Sequence, residues 1–252
     1  MHASPVKISV IIITKNEAMN MPGCIGSVAW ADEVIVVDSG SSDATVAICR
    51  ELGASTYVHE WPGFGAQKNR ALAYARNDWV LSIDADERVS GELRAEIEAT
   101  LERGGAEVAY KIPRLSSFCG RQMRHSGWYP DYVTRLFRRD AARFSDDLVH
   151  ERVIATGKVG ALRQDLLHQS YRDLDQLLVK MNQYSTAGAQ MLLESGRQTS
   201  LKQAVGHAFW AFVRTYILRA GFMDGREGFM VAIATAEGTY YRYAKRMFLP
   251  KS

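Results

Sequence analysis

The chain has 252 residues, 47% hydrophobic and 23% charged, with a net charge of +3, the composition of an ordinary globular protein. Its length bounds it to one domain, or one with an appendage, and gives a core large enough to need no disulfide staple. Its three cysteines, Cys24, Cys49 and Cys119, form no CxxC pair; that excludes a zinc ribbon or thiol-redox motif and reads as reduced thiols in a cytosolic chain.

The opening stretch MHASPVKISVIIIT has an apolar run too short for a secretory signal, and no cleavage site follows it. No segment reaches the ~18 uninterrupted apolar residues of a membrane span. KISVIIIT (7–14) and EVIVVD (33–38) are β-branched runs suited to strands covered on both faces, as in a parallel sheet. ASTYVHE (54–60) and WVLSID (79–84) read as a third and a fourth strand. Between them, SDATVAICRELG (42–53) and GAQKNRALAYARN (65–77) have helical length, the first with capping residues before it and Gly53 behind. The alternation predicts βαβ units, hence an α/β fold with a mostly parallel central sheet. Ligands of such sheets lie beyond the carboxyl ends of the strands, where Thr14, Asp38 and Asp84 fall.

SGELRAEIEATLERGG (90–105) is amphipathic, with Leu93, Ile97 and Leu101 on one helical face. From 107 to 171 the period changes to strands: VAYKIPRLSSF, YVTRLFRR and ERVIATGKVGAL. Helices follow over 173–196, 201–219 and 226–249, and on the second Val205, Phe209, Phe212 and Tyr216 share a face. Residues 197–252 hold nine Lys/Arg against three Asp/Glu, so the basic excess lies wholly in this tail. Aromatics among basic residues, as in YYRYAKRMF, suit a membrane interface; a packed helical hairpin is the plainer alternative, and both hold if one face packs and the other meets lipid.

The densest chemistry is in SIDADE (82–87). Residues two apart on a strand point the same way, which would aim Asp84 and Asp86 at one point. Two bare carboxylates about 5 Å apart repel by roughly 3 kcal/mol at an effective dielectric near 20. Mg2+ or Mn2+ between them reverses the sign and takes its other ligands from water and phosphate. A lone DxD is a weak signal, equally a solvated loop with Arg88 as partner; its place at the end of the fourth strand strengthens it. Asp38, in VVDSGSSDAT, can accept from a base N–H or a ribose hydroxyl, while Ser42 or Asp43 caps the next helix. Lys68 lies in GFGAQKN, whose glycines match neither a Walker pattern nor GxGxxG. Between 121 and 143, Arg121, Arg124, His125, Arg135, Arg138, Arg139 and Arg143 are interleaved with Trp128, Tyr129 and Tyr132. Arginines pair with phosphate and carboxylate and aromatic faces stack on sugars, which suits a phosphorylated, lipid-linked saccharide. No RRM, KH or zinc pattern supports a nucleic-acid partner.

VIIITKNE, VIVVDSGSSDAT, GFGAQKNRAL and WVLSIDADE, in that order, resemble the nucleotide-sugar half of family 2 glycosyltransferases with the GT-A fold, over residues 6–155. GWYPDYVTRLFRR, VHE and the basic aromatic tail resemble the lipopolysaccharide core β-1,4-glucosyltransferases of Gram-negative bacteria. The resemblance implies a GT-A domain over 1–172, divided into a nucleotide-sugar half (1–105) and an acceptor half (106–172), and a helical region over 173–252. It implies Thr14, Glu17 and Asp38 around uracil and ribose, Lys68 near the base or phosphates, Asp84 on the ribose or metal, and Asp86 on a metal that bridges the diphosphate. The family often carries a second carboxylate after the strand-two aspartate; Ser39 stands there in this chain.

In such enzymes an acceptor hydroxyl attacks C1 while UDP leaves from the opposite face, which needs a base and charge neutralisation. Glu151 is the first candidate base and Asp131 the second; His150 is a candidate metal ligand through neutral imidazole. Arg121, Arg124, Trp128 and Arg135 are the candidate acceptor-binding residues. The expected function is a metal-dependent inverting transferase, peripheral on the inner face of the inner membrane, moving glucose from UDP-glucose to the heptose region of a lipopolysaccharide core. Alternatives are a family 2 transferase for another bacterial glycan or lipid carrier, and a membrane-bound sugar-binding module without turnover. A sugar-phosphate nucleotidyltransferase would need a glycine-rich, arginine-containing loop after strand one, which TKNEAMNMPG is not. A phosphatase with an aspartate nucleophile would carry its DxD after strand one, not strand four.

Overall fold

The computed structural model describes residues 6–145 and 151–250. These fall into two compact units: the described residues of Met1–Arg114 with Asp131–His168, and those of Leu115–Pro130 with Gln169–Ser252.

The first unit opens with β1 (Ile8–Thr14), α1 (Met21–Ser27), β2 (Glu33–Asp38), α2 (Thr45–Glu51), β3 (Ser55–Val58) and α3 (Phe64–Tyr74). It continues through β4 (Trp79–Asp84), β5 (Glu87–Val89), α4 (Gly91–Arg103) and the start of β6 (Glu107–Phe118). The end of β6 pairs with β7 (Arg121–Gln122) in the second unit. The chain returns as β8 (Asp131–Arg138), β9 (Ala142–Phe144), β10 (Val153–Ala155), β11 (Lys158–Ala161) and β12 (Leu166–Tyr171).

The sheet runs β3-β2-β1-β4-β8-β6-β12-β5. Its first four strands are mutually parallel, with Thr14 level with Asp38 and Ile13 level with Asp84. This places Thr14, Asp38 and Asp84 at one carboxyl edge, as the βαβ rhythm predicts. β8 is antiparallel to β4 and β6, and β12 to β5, while β11 is parallel to β6; this mixed half begins where the sequence period changes. The β1 run is continuous because both its faces are covered. Val10 and Ile12 join Met21, Cys49, Leu93 and Ile97 on one side, while Ile11 joins Val37, Val80 and Ala71 on the other. Cys24 and Cys49 are buried free thiols and Cys119 is exposed. α4 buries Leu93, Ile97 and Leu101 as expected, and Ser90 caps it by accepting the Leu93 N–H at 3.1 Å. α1 is an element the sequence patterning does not predict. It is seven residues long with two glycines, and its one signal is Pro22 in the first turn.

The second unit holds α5 (Leu174–Glu194), α6 (Leu201–Val213), a π-helical turn (Arg214–Leu218), a 3-10 turn (Gly221–Asp224) and α7 (Gly225–Phe248). The helix expected over 201–219 is thus α-helical only to Val213. Asp173 caps α5, and a reciprocal Ser200–Gln203 box caps α6. Asp224, before α7, is buried and accepts from the N–H groups of Arg124 and His125 and from the Ser126 hydroxyl. A Cβ on Gly228 would fall 1.9 Å from the Gly221 carbonyl oxygen, so this close approach requires glycine.

These helices bury small residues, Ala189, Ala204, Ala211, Thr215 and Ala232, and leave Val205, Phe209, Trp210, Ile217, Leu218 and Phe222 exposed. Val205 and Phe209 do share a side of α6, but it faces outward. At the basic end of α7, Lys245 donates to Asn182, Ser185 and Thr186 of α5, and Arg246 is buried. Lys245 thus joins α7 to α5. Among the described residues no helix is long and apolar enough to cross a membrane.

Candidate active site

β4 ends at Asp84, Ala85 and Asp86 form a turn, and Glu87 opens β5. The strand alternation that would aim Asp84 and Asp86 together therefore stops at Asp84. Glu87, to which the sequence patterning assigns no role, closes the turn: its Oε2 accepts the Asp84 N–H at 2.9 Å.

Asp84 lies between two cations. Lys68 Nζ, from α3, is 2.9 Å from Oδ1. Arg135, from β8, pairs with Oδ2 and also with Glu87 Oε1 at 2.6 Å. Burial disfavours ionised Asp84, but the charges of Arg135 and Lys68 and the hydrogen bonds from both overcome it, holding the carboxyl far below the usual carboxylate range. Glu87 goes the other way: burial pushes its carboxyl up, against the attraction of Arg135 and with the repulsion of Asp84. Arg135, grouped with the acceptor residues in the sequence, is here the buried counter-charge of the turn.

Lys68 Nζ also lies 2.7 Å from Glu151 Oε1, joining residues 83 positions apart. The other candidate base, Asp131, has one oxygen, Oδ2, held by Nε and Nη2 of Arg114 at 3.0 and 2.6 Å. His150 lies outside the described residues.

Asp86 meets a different residue. Its Oδ2 is 3.3 Å from His168 Nε2, on β12, and the two side chains are 30% and 14% exposed. No motif marks His168; it sits in LLHQSY, and the register of β12 on β5 sets it opposite Glu87. Two ligands held at right angles about 2.1 Å from one ion lie about 3 Å apart, close to the spacing of this oxygen and nitrogen. Among the described residues no group of three or more His, Cys, Asp or Glu is gathered for a metal. Mg2+ and Mn2+ need no such cage, since phosphate and water complete their shell. Asp86 and His168 therefore fit a divalent cation, whereas both oxygens of Asp84 already face protein cations.

At the ends of β1 and β2, Thr14 is buried and its Oγ1 has no hydrogen-bond partner among the described residues. Asp38 is fully buried; Oδ1 accepts from the N–H groups of Gly40 and Ser41 at 2.9 and 2.8 Å, and Oδ2 from the Ser41 hydroxyl. Both its oxygens thus shape the β2–α2 loop, in which Gly40 has φ +79°. Glu17 accepts from Asn20 at 2.6 Å and donates its N–H to Thr45 Oγ1 at 2.8 Å. Asp43 accepts the Thr45 N–H at 3.0 Å at the start of α2.

Arg121, Arg124 and Trp128 belong to the second unit. Arg121 donates to the Met223 carbonyl at 3.3 Å, the Arg124 guanidinium lies 5.3 Å from the Tyr129 ring, and Trp128 packs on Phe118 and Tyr171.

Residues 9–168 match the family described as Glycosyl transferase family 2. The chain is 36% identical over 251 residues to an uncharacterized glycosyltransferase, RP128, of Rickettsia prowazekii, covering 95% of this chain and 86% of that one. It is 30% identical over 256 residues to the lipopolysaccharide core biosynthesis glycosyltransferase LpsC of Rhizobium meliloti, covering 94% and 93%. Among solved structures it is similar to S. aureus TarS 1–349 in complex with UDP, with a TM-score of 0.48 and 16% identity over 96% of this chain and 90% of that one.

Proposed function

The chain belongs to glycosyltransferase family 2, and from that premise we propose that it moves glucose from UDP-glucose, with inversion at C1, to the heptose region of a lipopolysaccharide core. The match with LpsC along nearly the whole of both chains supports this acceptor class. The observation that carries the chemistry is the convergence of Lys68, Asp84 and Glu151 in the first unit, at 2.9 and 2.7 Å, with the Asp86–His168 pair in the same unit.

In this reading the unpartnered Thr14 hydroxyl, Glu17 and the loop shaped by Asp38 receive the uridine. Lys68 orients Glu151 and adds positive charge near the phosphates. Asp86 and His168 would hold Mg2+ or Mn2+, which when bound offsets charge on the departing diphosphate. Glu151 takes the proton of the acceptor hydroxyl; one oxygen rests on Lys68 and the other is left for the proton. Asp131, held by Arg114, is the second candidate. The outward apolar side of α6 and the following turns supports peripheral attachment at the inner face of the inner membrane, with the apolar groups sunk among lipid headgroups.

The test is nucleotide release from UDP-, GDP- and TDP-sugars, with Mg2+ or Mn2+, in the presence of lipopolysaccharide truncated at heptose. Release from UDP-glucose that needs the truncated acceptor supports the reading. Release that needs a different glycan or lipid carrier moves the chain to another family 2 reaction. No release from any donor rejects the proposed reaction.

A further inference from the structure

The second unit contains a cavity of about 330 Å3, within the range of small-molecule sites. One wall is a single stripe of α7: Val231, Thr235, Thr239 and Arg242. Facing residues include Trp128 and Tyr171, whose ring centroids lie 5.9 Å apart and whose planes are tilted by 42°.

The chemistry of this lining is selective. Thr235 donates its hydroxyl proton to the Val231 carbonyl at 2.7 Å, and Thr239 donates to the Thr235 carbonyl at 2.8 Å. With their protons used by the helix, both oxygens can only accept, so they suit a ligand rich in O–H donors. Arg242 offers the opposite function, several N–H donors and a positive charge. Its guanidinium lies 5.7 Å from the Tyr243 ring. One turn further along the same stripe is Arg246, buried, with an Nε that has no hydrogen-bond partner among the described residues. A hydrocarbon chain would use the aromatic floor but neither the threonine oxygens nor the guanidinium. Free phosphate would use the guanidinium alone.

We propose that this cavity binds an anionic saccharide, with a sugar ring against Trp128 and Tyr171, its hydroxyls donating to Thr235 and Thr239, and its carboxylate or phosphate on Arg242. As a place where acceptor is held, it rests on the transferase reading above; as a saccharide site it is measurable without transfer.

Saturation-transfer NMR titrations of the full chain with glucuronate, glucose 6-phosphate, glucose and octanol test it, with UDP affinity measured in parallel. Both anions should bind at least about fivefold more tightly than glucose, since hydrogen bonds to a charged group are roughly twice as strong as neutral ones. Glucuronate binding tighter than glucose 6-phosphate identifies a carboxylate site, and the reverse a phosphate site. Arg242→Gln should bring both down to the level of glucose, and Thr239→Val should weaken all three sugars, with UDP affinity unchanged in both variants. Equal binding of charged and neutral sugars, anion binding unaltered in Arg242→Gln, or octanol displacing the sugars would overturn the proposal. Failure of UDP to bind the unaltered chain would count against the transferase reading and leave the saccharide result to be judged by itself.

Discussion

Arg135 Nη2 stands 2.6 Å from Glu87 Oε1, and the two side chains are 7% and 0% exposed. The same guanidinium pairs with Asp84, so one buried cation neutralises two carboxylates around the turn that presents Asp86. Removing one partner of a buried pair costs about 3–5 kcal/mol, because the other charge is left without compensation. Arg135→Met should therefore destabilise the protein, by less than that amount, since Lys68 Nζ still faces Asp84 at 2.9 Å and Arg114 Nη1 lies 3.6 Å from Glu87 Oε1. Adding Glu87→Gln should recover part of the loss. Urea unfolding of both single variants and the double variant checks the coupling; strictly additive losses would show that the pair is not coupled.

The two carboxylates should also give opposite pH slopes. Asp84 is held below its ordinary value, so its contribution is present above a pH of about 4 and is lost as pH falls toward its folded value. Glu87 is raised, so its contribution is present below about 4.3 and is lost as pH rises through its folded value. Relative to Asp84→Asn, the unaltered chain should lose stability on acidification. Relative to Glu87→Gln, it should lose stability as pH rises above about 4. Unfolding measured at a series of pH values gives both slopes, and parallel curves in either comparison would count against the assigned direction.

The Asp86–His168 assignment predicts a metal-specific defect. Asp86→Asn and His168→Ala should each lower UDP affinity in the presence of Mn2+ by about 10–100-fold, and should leave metal-free UDP binding near that of the unaltered chain. Calorimetric titration with and without Mn2+ separates the two terms. Full Mn2+-dependent affinity in His168→Ala would remove the histidine from the site.

The parallel half of the fold was legible in the sequence because both faces of its strands are covered, which leaves continuous β-branched runs such as KISVIIIT. The end of that pattern at Asp84 was not. Alternation predicts two residues of strand more than the chain forms, because a turn of Ala85 and Asp86 leaves no periodic signal when another short strand follows at once. His168 escaped for a different reason: its partner is 82 positions earlier, and only the pairing of β12 with β5 brings the two together. Arg135 stands in the basic stretch that supplies the candidate acceptor-binding residues, and nothing local reports that it turns inward to Asp84 and Glu87. The apolar side of α6 was recognised by spacing, but spacing does not say which side packs. Alanines do so here, because they let helices approach closely.

That outward side gives a prediction about membranes. Phe209 is 69% exposed and Phe222 53%. Sinking a phenylalanine into an apolar medium is worth about 1.5–3 kcal/mol. The Phe209→Glu, Phe222→Glu double variant should thus lose at least about tenfold in binding to vesicles of phosphatidylethanolamine and phosphatidylglycerol, with UDP affinity preserved. Sedimentation with vesicles reads the effect. Vesicle binding that is unaltered in this variant but abolished by high salt would move the contact to the basic residues.

The choice of base rests on what each carboxylate touches. Glu151 has one oxygen on Lys68, whose ammonium is shared with Asp84; Asp131 has one oxygen held by both Nε and Nη2 of Arg114. A double contact from one guanidinium restrains a carboxylate as a structural element, whereas among the described residues a single contact, from Lys68, positions Glu151 and leaves its second oxygen available. Glu151→Gln should therefore lower kcat by about 10²–10⁴ while KM for UDP-glucose changes little, the pattern of an interaction used in the chemical step and not in donor binding. Asp131→Asn should leave kcat within about tenfold and act mainly through stability, by releasing Arg114. Steady-state kinetics on both variants, with thermal unfolding as the companion measurement, decides between them. A collapse of kcat in Asp131→Asn at unchanged stability would transfer the role to Asp131 and leave Glu151 as the partner that neutralises Lys68.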